Sequence, residues 1–177
     1  MSSFRLLPAC LLLAAVAAAG CTVQPLYSKP EASAYAAGGG LQALNSIGIK
    51  PVDTRAAQEV RNHLIFAFNG GAGQPAAPRY EMTLKVASIK DDGLVTQVAD
   101  ENVPSAGTIT LIAEYVVSDA ATARPIASGR RQITANYDVP RQEFANVRAE
   151  RDAENRAARE MAELLKLAIS QELRRAG

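Results

Sequence analysis

The chain of 177 residues has little of the chemistry that enzymes, metal sites and disulfide-rich domains require. It contains one histidine, no tryptophan and two cysteines, one of which, Cys10, lies in an apolar N-terminal segment. If that segment is removed, Cys21 is alone and no intramolecular disulfide can form. Basic and acidic residues nearly balance, 19 against 18, which excludes the basic excess typical of nucleic-acid binding.

Catalytic patterns are equally scarce. His63 falls in the middle of a predicted helix, without a cysteine or carboxylate at metal-ligand spacing. No G-x-S-x-G elbow, H-E-x-x-H pair or phosphate-binding loop occurs. We therefore predict a protein that is not an enzyme and binds no metal or cofactor. The alternative is a periplasmic hydrolase, for which His63 is the best candidate base.

The first 21 residues have the features of an export signal. Arg5 precedes an apolar stretch, Leu6–Ala19, of 14 residues, shorter than the roughly 20 that span a membrane. Ala18-Ala19-Gly20-Cys21 resembles the lipobox of bacterial lipoproteins, with Ala18 in place of the usual leucine. We expect cleavage after residue 20 and an N-acyl diacylglyceryl lipid on Cys21. An ordinary signal with an incidental cysteine is the alternative, and a lone exposed thiol weighs against it.

The mature chain is predicted to have two parts. Residues 21–43 form the lipidated N-terminus and a tether, because Ser28–Ala43 is rich in alanine, glycine and serine. Residues 44–177 are long enough for a single domain with its own core. Thr22 stands where an aspartate would resemble an inner-membrane retention signal, which favours the outer membrane, with the domain facing the periplasm.

The first elements of this domain are a strand and a helix. Leu44–Val52 is predicted as a short strand. Asp53-Thr54 then resembles a helix N-cap, and apolar residues spaced three and four apart predict a helix over Arg55–Phe68. Asn69-Gly70-Gly71 is expected to end it.

Three strands are predicted next. Tyr80–Val86 alternates apolar and polar residues, and Asp91-Asp92-Gly93 indicates a turn. Leu94–Gly107 is either a hairpin tip or a longer mobile loop. Thr108–Val117 and Ile126–Tyr137 are the remaining strands.

A long helix is predicted from Arg141 or Gln142 to Arg174, and its expected buried face includes Phe144, Val147, Ala153, Ala157, Met161, Leu164, Leu165 and Ala168. The order β-α-β-β-β-α predicts an α+β fold. It is a two-layer sandwich of a mixed or antiparallel sheet of about four strands, with both helices on one face.

Arg130 and Arg131 are the candidate binding residues. Neighbouring strand residues project to opposite faces, so one of them could meet an anionic group such as a phosphate. The alternative is a solvated strand surface without a ligand.

Several segments resemble the LptE family of lipopolysaccharide-assembly lipoproteins. They are the mature start GCTVQPLY (residues 20–27), RNHLIFAF (61–68) and the strand Tyr80–Val86. The most specific is Tyr137-Asp138-Val139-Pro140, followed by Glu143-Phe144-Ala145 and by residues 149–154 (AERDAE).

This resemblance implies partners. The family's members sit in the lumen of an outer-membrane β-barrel, as a plug and assembly aid of the translocon that inserts lipopolysaccharide into the outer leaflet. The expected partners are therefore that barrel, lipopolysaccharide, and the membrane through the lipid anchor, without nucleic acid. The competing hypothesis is an auxiliary lipoprotein of another envelope lipid-transport system.

Overall fold

The computed structural model describes residues 43–98 and 101–176. The predicted signal peptide (1–20), Cys21 and the tether up to residue 42 lie outside the described residues. The elements follow the predicted order and are β1 (Ile47–Ile49), α1 (Arg55–Asn69), β2 (Tyr80–Val98), β3 (Glu101–Asp119), β4 (Pro125–Asp138) and α2 (Glu143–Ala176). The α+β class is confirmed.

The four strands form one mixed sheet in the order β1-β2-β3-β4. β1 runs parallel to β2 and pairs only along three residues, Ile47 with Tyr80 to Ile49 with Met82. β2, β3 and β4 form an antiparallel meander. The strand predicted over Leu44–Val52 is thus shorter in the structure, and the meander makes up most of the sheet.

Both helices cover the same face of the sheet. The buried strand residues alternate along the chain, as in Met82, Leu84 and Val86, and their neighbours point to the opposite, exposed side. The helices contribute Val60, Leu64, Met161, Leu165 and other apolar residues to the same cluster. The fold is therefore the predicted two-layer sandwich, with one sheet face covered by helices and the other open.

Local signals define α1 well. The Thr54 hydroxyl accepts a hydrogen bond from the Ala57 amide at 3.2 Å, which confirms the predicted N-cap. Gly70 ends the helix in the left-handed conformation (φ 58°), and its N–H donates to the Phe66 carbonyl at 2.7 Å. The buried face consists of Ala56, Ala57, Val60, Leu64 and Phe68.

The buried face of α2 differs from the prediction at its start. Ala153, Ala157, Met161 and Leu165 are buried as expected. Phe144 is 87% exposed and Val147 is 37% exposed, so the prediction that they join the core was wrong. The residues of α2 that belong to the core cluster begin at Ala153, with Ala149 packed against it, so the first turn lies outside the core.

The region predicted as a turn at Asp91-Asp92-Gly93 is part of a long hairpin. β2 continues through it to Val98, and its pairing with β3 runs to Val98 opposite Glu101. The register shifts between Asp91 and Leu94 and again between Leu94 and Val95, which marks β-bulges. Of the two alternatives for Leu94–Gly107, the hairpin is confirmed. It extends past Asp138, the end of β4, as a two-stranded ribbon.

Candidate binding surface

The uncovered face of the sheet is a candidate binding surface. β2 places Lys85 and Ile89 on it, and β3 adds Glu114 and Val116, all of them exposed. Ile89 is 51% and Val116 41% exposed, so the face combines apolar with polar side chains. Within residues 43–98 and 101–176 neither helix packs against this side. A β-rich face of this kind, with no layer over it, can contact a partner.

A row of charges crosses this face, and strand register creates it. Lys85 on β2 lies opposite Glu114 on β3, which in turn lies opposite Arg130 on β4. Side chains directly opposite one another stand about 5 Å apart. Arg130 Nε lies 3.9 Å from Glu114 Oε1, and both side chains are more than 60% exposed. This charged row (Lys85, Glu114, Arg130) contains two cations and one carboxylate. Its net positive charge allows it to bind an anionic group.

Arg131 occupies the opposite, helix-covered side, as strand alternation predicts. It pairs in register with buried Ala113 and is half-buried itself. Its Nη1 donates to the carbonyl of Arg130 at 2.8 Å. The two predicted arginines therefore do not act together on one face. Arg130 belongs to the charged row, whereas Arg131 is engaged with the backbone of β4.

Two tyrosines lie over glycines on the covered side of the sheet. Tyr137 lies opposite Gly107, and Tyr115 lies opposite Gly129. A Cβ added at Gly107 would meet the Tyr137 ring well inside contact distance, and one at Gly129 would lie 2.9 Å from the Tyr115 hydroxyl oxygen. Only glycine leaves room for these rings, so the pairs fix how β3 and β4 lie under α2.

Tyr115 connects β3 to the end of α2. Its hydroxyl donates to Glu172 Oε1 at 3.0 Å. Burial, together with the hydrogen bond and the negative charge of Glu172, raises the pKa of Tyr115 to about 12. The group therefore stays protonated and keeps this contact at neutral pH.

The segment that carries the family resemblance forms the wall of a cleft of about 450 Å³ between the sheet and α2. The cleft is lined by Ala106, Asn136, Tyr137, Asp138, Pro140, Ala149, Asp152 and Arg156. Arg156 Nε donates to Asp152 Oδ2 at 2.9 Å, and its Nη2 donates to the Asn136 carbonyl at 3.1 Å. Two carboxylates and one guanidinium give the cleft a negative balance, which disfavours an anionic headgroup there.

No catalytic or metal-binding arrangement occurs in the part of the chain that the structure describes. His63 is a half-buried residue of α1. Within that part, no three His, Cys, Asp or Glu side chains come together in a way that could hold a metal ion. A separate search of the same residues finds no helix long and apolar enough to cross a membrane.

The sequence pattern indicates Arg130 as a candidate but does not indicate the charged row to which it belongs. Lys85 and Glu114 are 29 residues apart in sequence, and only the β2–β3 register brings them together. A sequence signal does exist in the alternation of each strand. It places a residue on a face but does not say which residue of the next strand lies beside it.

Comparison with known proteins gives one family match and a set of similar folds. The family model described as LptE, lipopolysaccharide-assembly, matches residues 44–169. No curated protein sequence matches the chain significantly.

Among solved structures, a Caulobacter crescentus protein described as a lipoprotein is 20% identical, with a TM-score of 0.63 over 77% of this chain and 96% of its own. A minor lipoprotein from Acinetobacter baumannii is 9% identical, with a TM-score of 0.52 over 71% and 88%. Rare lipoprotein B from Shewanella oneidensis is 13% identical, with a TM-score of 0.51 over 74% and 97%. At these identities the structures support the fold alone.

Proposed function

The chain belongs to the LptE family of lipopolysaccharide-assembly proteins, and from that premise we propose that it is an outer-membrane lipoprotein, anchored through Cys21. It plugs the barrel that inserts lipopolysaccharide into the outer leaflet and helps that barrel to assemble. In this function it binds its partners without catalysing a reaction. The observation that carries the proposal is the uncovered sheet face with its charged row.

The shape of the domain supports a plug. Barrel lumens are lined by polar groups and water. The open sheet face offers polar side chains such as Thr83, Thr110 and Gln132 to such a wall. The β2–β3 hairpin extends past the end of β4 at Asp138, and there the domain narrows to two strands. This narrow part can enter a lumen first.

The charged row supports contact with lipopolysaccharide. Phosphate groups bind guanidinium and ammonium groups through charge-assisted hydrogen bonds. Arg130 and Lys85 are both exposed, and Ala87 and Ile89 follow on the same face. Such an arrangement can bind a phosphate beside apolar contacts for an acyl chain. Arg131 is less available to bind a phosphate, because its guanidinium already donates to the Arg130 carbonyl.

Co-purification tests the partnership. The native protein is isolated from detergent-solubilised outer membrane, and the proteins bound in stoichiometric amounts are identified. We expect a large β-barrel protein. Recovery of an inner-membrane transporter instead would support the auxiliary-lipoprotein alternative and contradict the proposal. Mass spectrometry of the same sample tests the anchor, because an unmodified Cys21 would exclude it.

A binding titration with lipopolysaccharide tests the charged row, using the mature chain with Cys21→Ser. Lys85→Gln combined with Arg130→Gln should weaken binding roughly fivefold or more, because exposed charge contacts contribute about 0.5–1 kcal/mol each. Arg148→Gln with Arg151→Gln, on the exposed surface of α2, makes the same change in net charge and should leave binding unchanged. Equal affinities for the two double variants would remove the charged row from the proposal.

A further inference from the structure

The chain enters the domain at one end of the sheet. Ile47, the first residue of β1, pairs with Tyr80, the first residue of β2. The β3–β4 turn lies at the same end, since Tyr80 also pairs with Asp119. The tip of the hairpin lies at the other end, about 60 Å away along a strand of 19 residues.

Four exposed arginines cluster at the end where the chain enters. Arg79 and Arg124 lie beside the β3–β4 turn, because the Arg79 carbonyl accepts from the Ala120 amide at 2.9 Å and the Arg124 carbonyl accepts from the Asp119 amide at 3.0 Å. Arg174 and Arg175 come from the last turn of α2, which runs in the direction of β3. We name this group the arginine end (Arg79, Arg124, Arg174, Arg175).

The four arginines outnumber the carboxylates described beside them, which are Asp119 and Glu172. Arg174 Nε also donates to the Ser170 carbonyl at 3.2 Å. The carboxylate beside Arg79 and Arg124 is that of Asp119, which accepts hydrogen bonds from the amides of Ala121 and Thr122 within its own turn. Arg174 and Arg175 also favour the negative end of the α2 dipole. The helix dipole accounts for the position of these two arginines in the last turn, but it does not neutralise their positive charge. Without Arg5 the chain has 18 basic and 18 acidic residues, so this excess is a local feature.

We propose that the arginine end binds anionic phospholipid headgroups of the leaflet that holds the lipid on Cys21. This proposal rests on the lipid anchor of the proposed function. Ile47, the first residue of β1, follows Cys21 by 26 residues in the sequence and lies at the arginine end. A basic surface beside an acyl anchor is a common pair of membrane signals.

Vesicle co-sedimentation tests this proposal without barrel or lipopolysaccharide. The mature chain with Cys21→Ser is mixed with phosphatidylglycerol–phosphatidylcholine vesicles and with pure phosphatidylcholine vesicles. We expect binding to the anionic vesicles that weakens as salt is added. Arginines near an anionic surface contribute about fivefold each to the partition coefficient. Changing all four residues of the arginine end to glutamine should therefore reduce the partition coefficient by up to about several hundredfold.

The matched control changes Arg141, Arg148, Arg151 and Arg159 to glutamine. All four are exposed, Arg141 just before α2 and the other three in its first half. It has the same net charge and should bind the anionic vesicles as the parent does. Arg79→Gln with Arg124→Gln is a milder variant and should give an intermediate loss. No binding by the parent, equal binding to neutral vesicles, or equal losses in both quadruple variants would overturn the proposal. Those outcomes would leave the barrel and lipopolysaccharide tests unaffected.

Discussion

Replacing Gly107 with alanine tests whether the Tyr137 ring holds the end of the meander together. The added Cβ would lie 2.6 Å from Tyr137 Oη and 2.7 Å from its Cε1, and still closer to Cζ. Tyr137 is 6% exposed, so its ring has little room to move aside. Either β3 and β4 separate locally or the ring leaves its position between the sheet and α2.

The expected loss of stability follows from two opposing terms. Forcing extra atoms into a packed site costs about 1–3 kcal/mol. Replacing glycine with alanine stabilises the protein by roughly 0.5–1 kcal/mol, because the unfolded chain loses conformational entropy. We therefore expect a net destabilisation of about 1–2 kcal/mol. For a domain of this size that corresponds to a fall in Tm of roughly 3–10 °C.

The assay is thermal and urea unfolding of the mature chain with Cys21→Ser, followed by circular dichroism. The control introduces Gly107→Ala into a Tyr137→Leu background, where the clash with the ring is absent and alanine should be neutral or mildly stabilising. The difference between the two backgrounds measures the Gly107–Tyr137 coupling. If Gly107→Ala were harmless with Tyr137 present, the ring would not pack over the glycine as described.

Further predictions concern the end of α2 and the start of α1. Tyr115→Phe should cost about 1–2 kcal/mol because it leaves the Glu172 carboxylate without its donor, and adding Glu172→Leu should recover most of this loss. The pKa of Tyr115 is raised from 10.0 to about 12. Its contribution to stability should thus be complete below pH 10 and lost as pH rises towards 12, which unfolding curves of the parent and Tyr115→Phe would show. Thr54→Ala should cost about 0.5–2 kcal/mol by removing the α1 cap, whereas Thr54→Ser should retain most of it.

Features set by local chemistry could be predicted from the sequence. The Thr54 cap, the left-handed Gly70 and the apolar spacing of α1 each depend on a few neighbouring residues. The strand at Tyr80–Val86 was clear because its alternation is uninterrupted. Three consecutive strands then led to a meander, and the two apolar helix faces required a single covered sheet face.

Features that depend on strand pairing or on the extent of the core could not be predicted from the sequence. Asp91-Asp92-Gly93 has the composition of a turn, yet it lies at a bulge within a hairpin, and bulges interrupt the alternation that identifies strands. Phe144 has the spacing of a core residue, but burial requires a surface opposite it. The Phe144 side chain is 87% exposed and has no such surface.

The two arginines identified from sequence show what register adds to a binding hypothesis. Strand alternation alone places Arg130 and Arg131 on opposite faces and makes them equally good candidates for binding. The β3–β4 register places Arg130 beside Glu114 and, across β3, in line with Lys85. It places Arg131 opposite Ala113 under the helices, with its guanidinium on the Arg130 carbonyl. The Arg130 side chain is more than 60% exposed beside Glu114 on the open face, whereas Arg131 would first have to give up a backbone contact. The binding proposed for the open face therefore involves Arg130 and Lys85, whereas Arg131 contacts the backbone of β4.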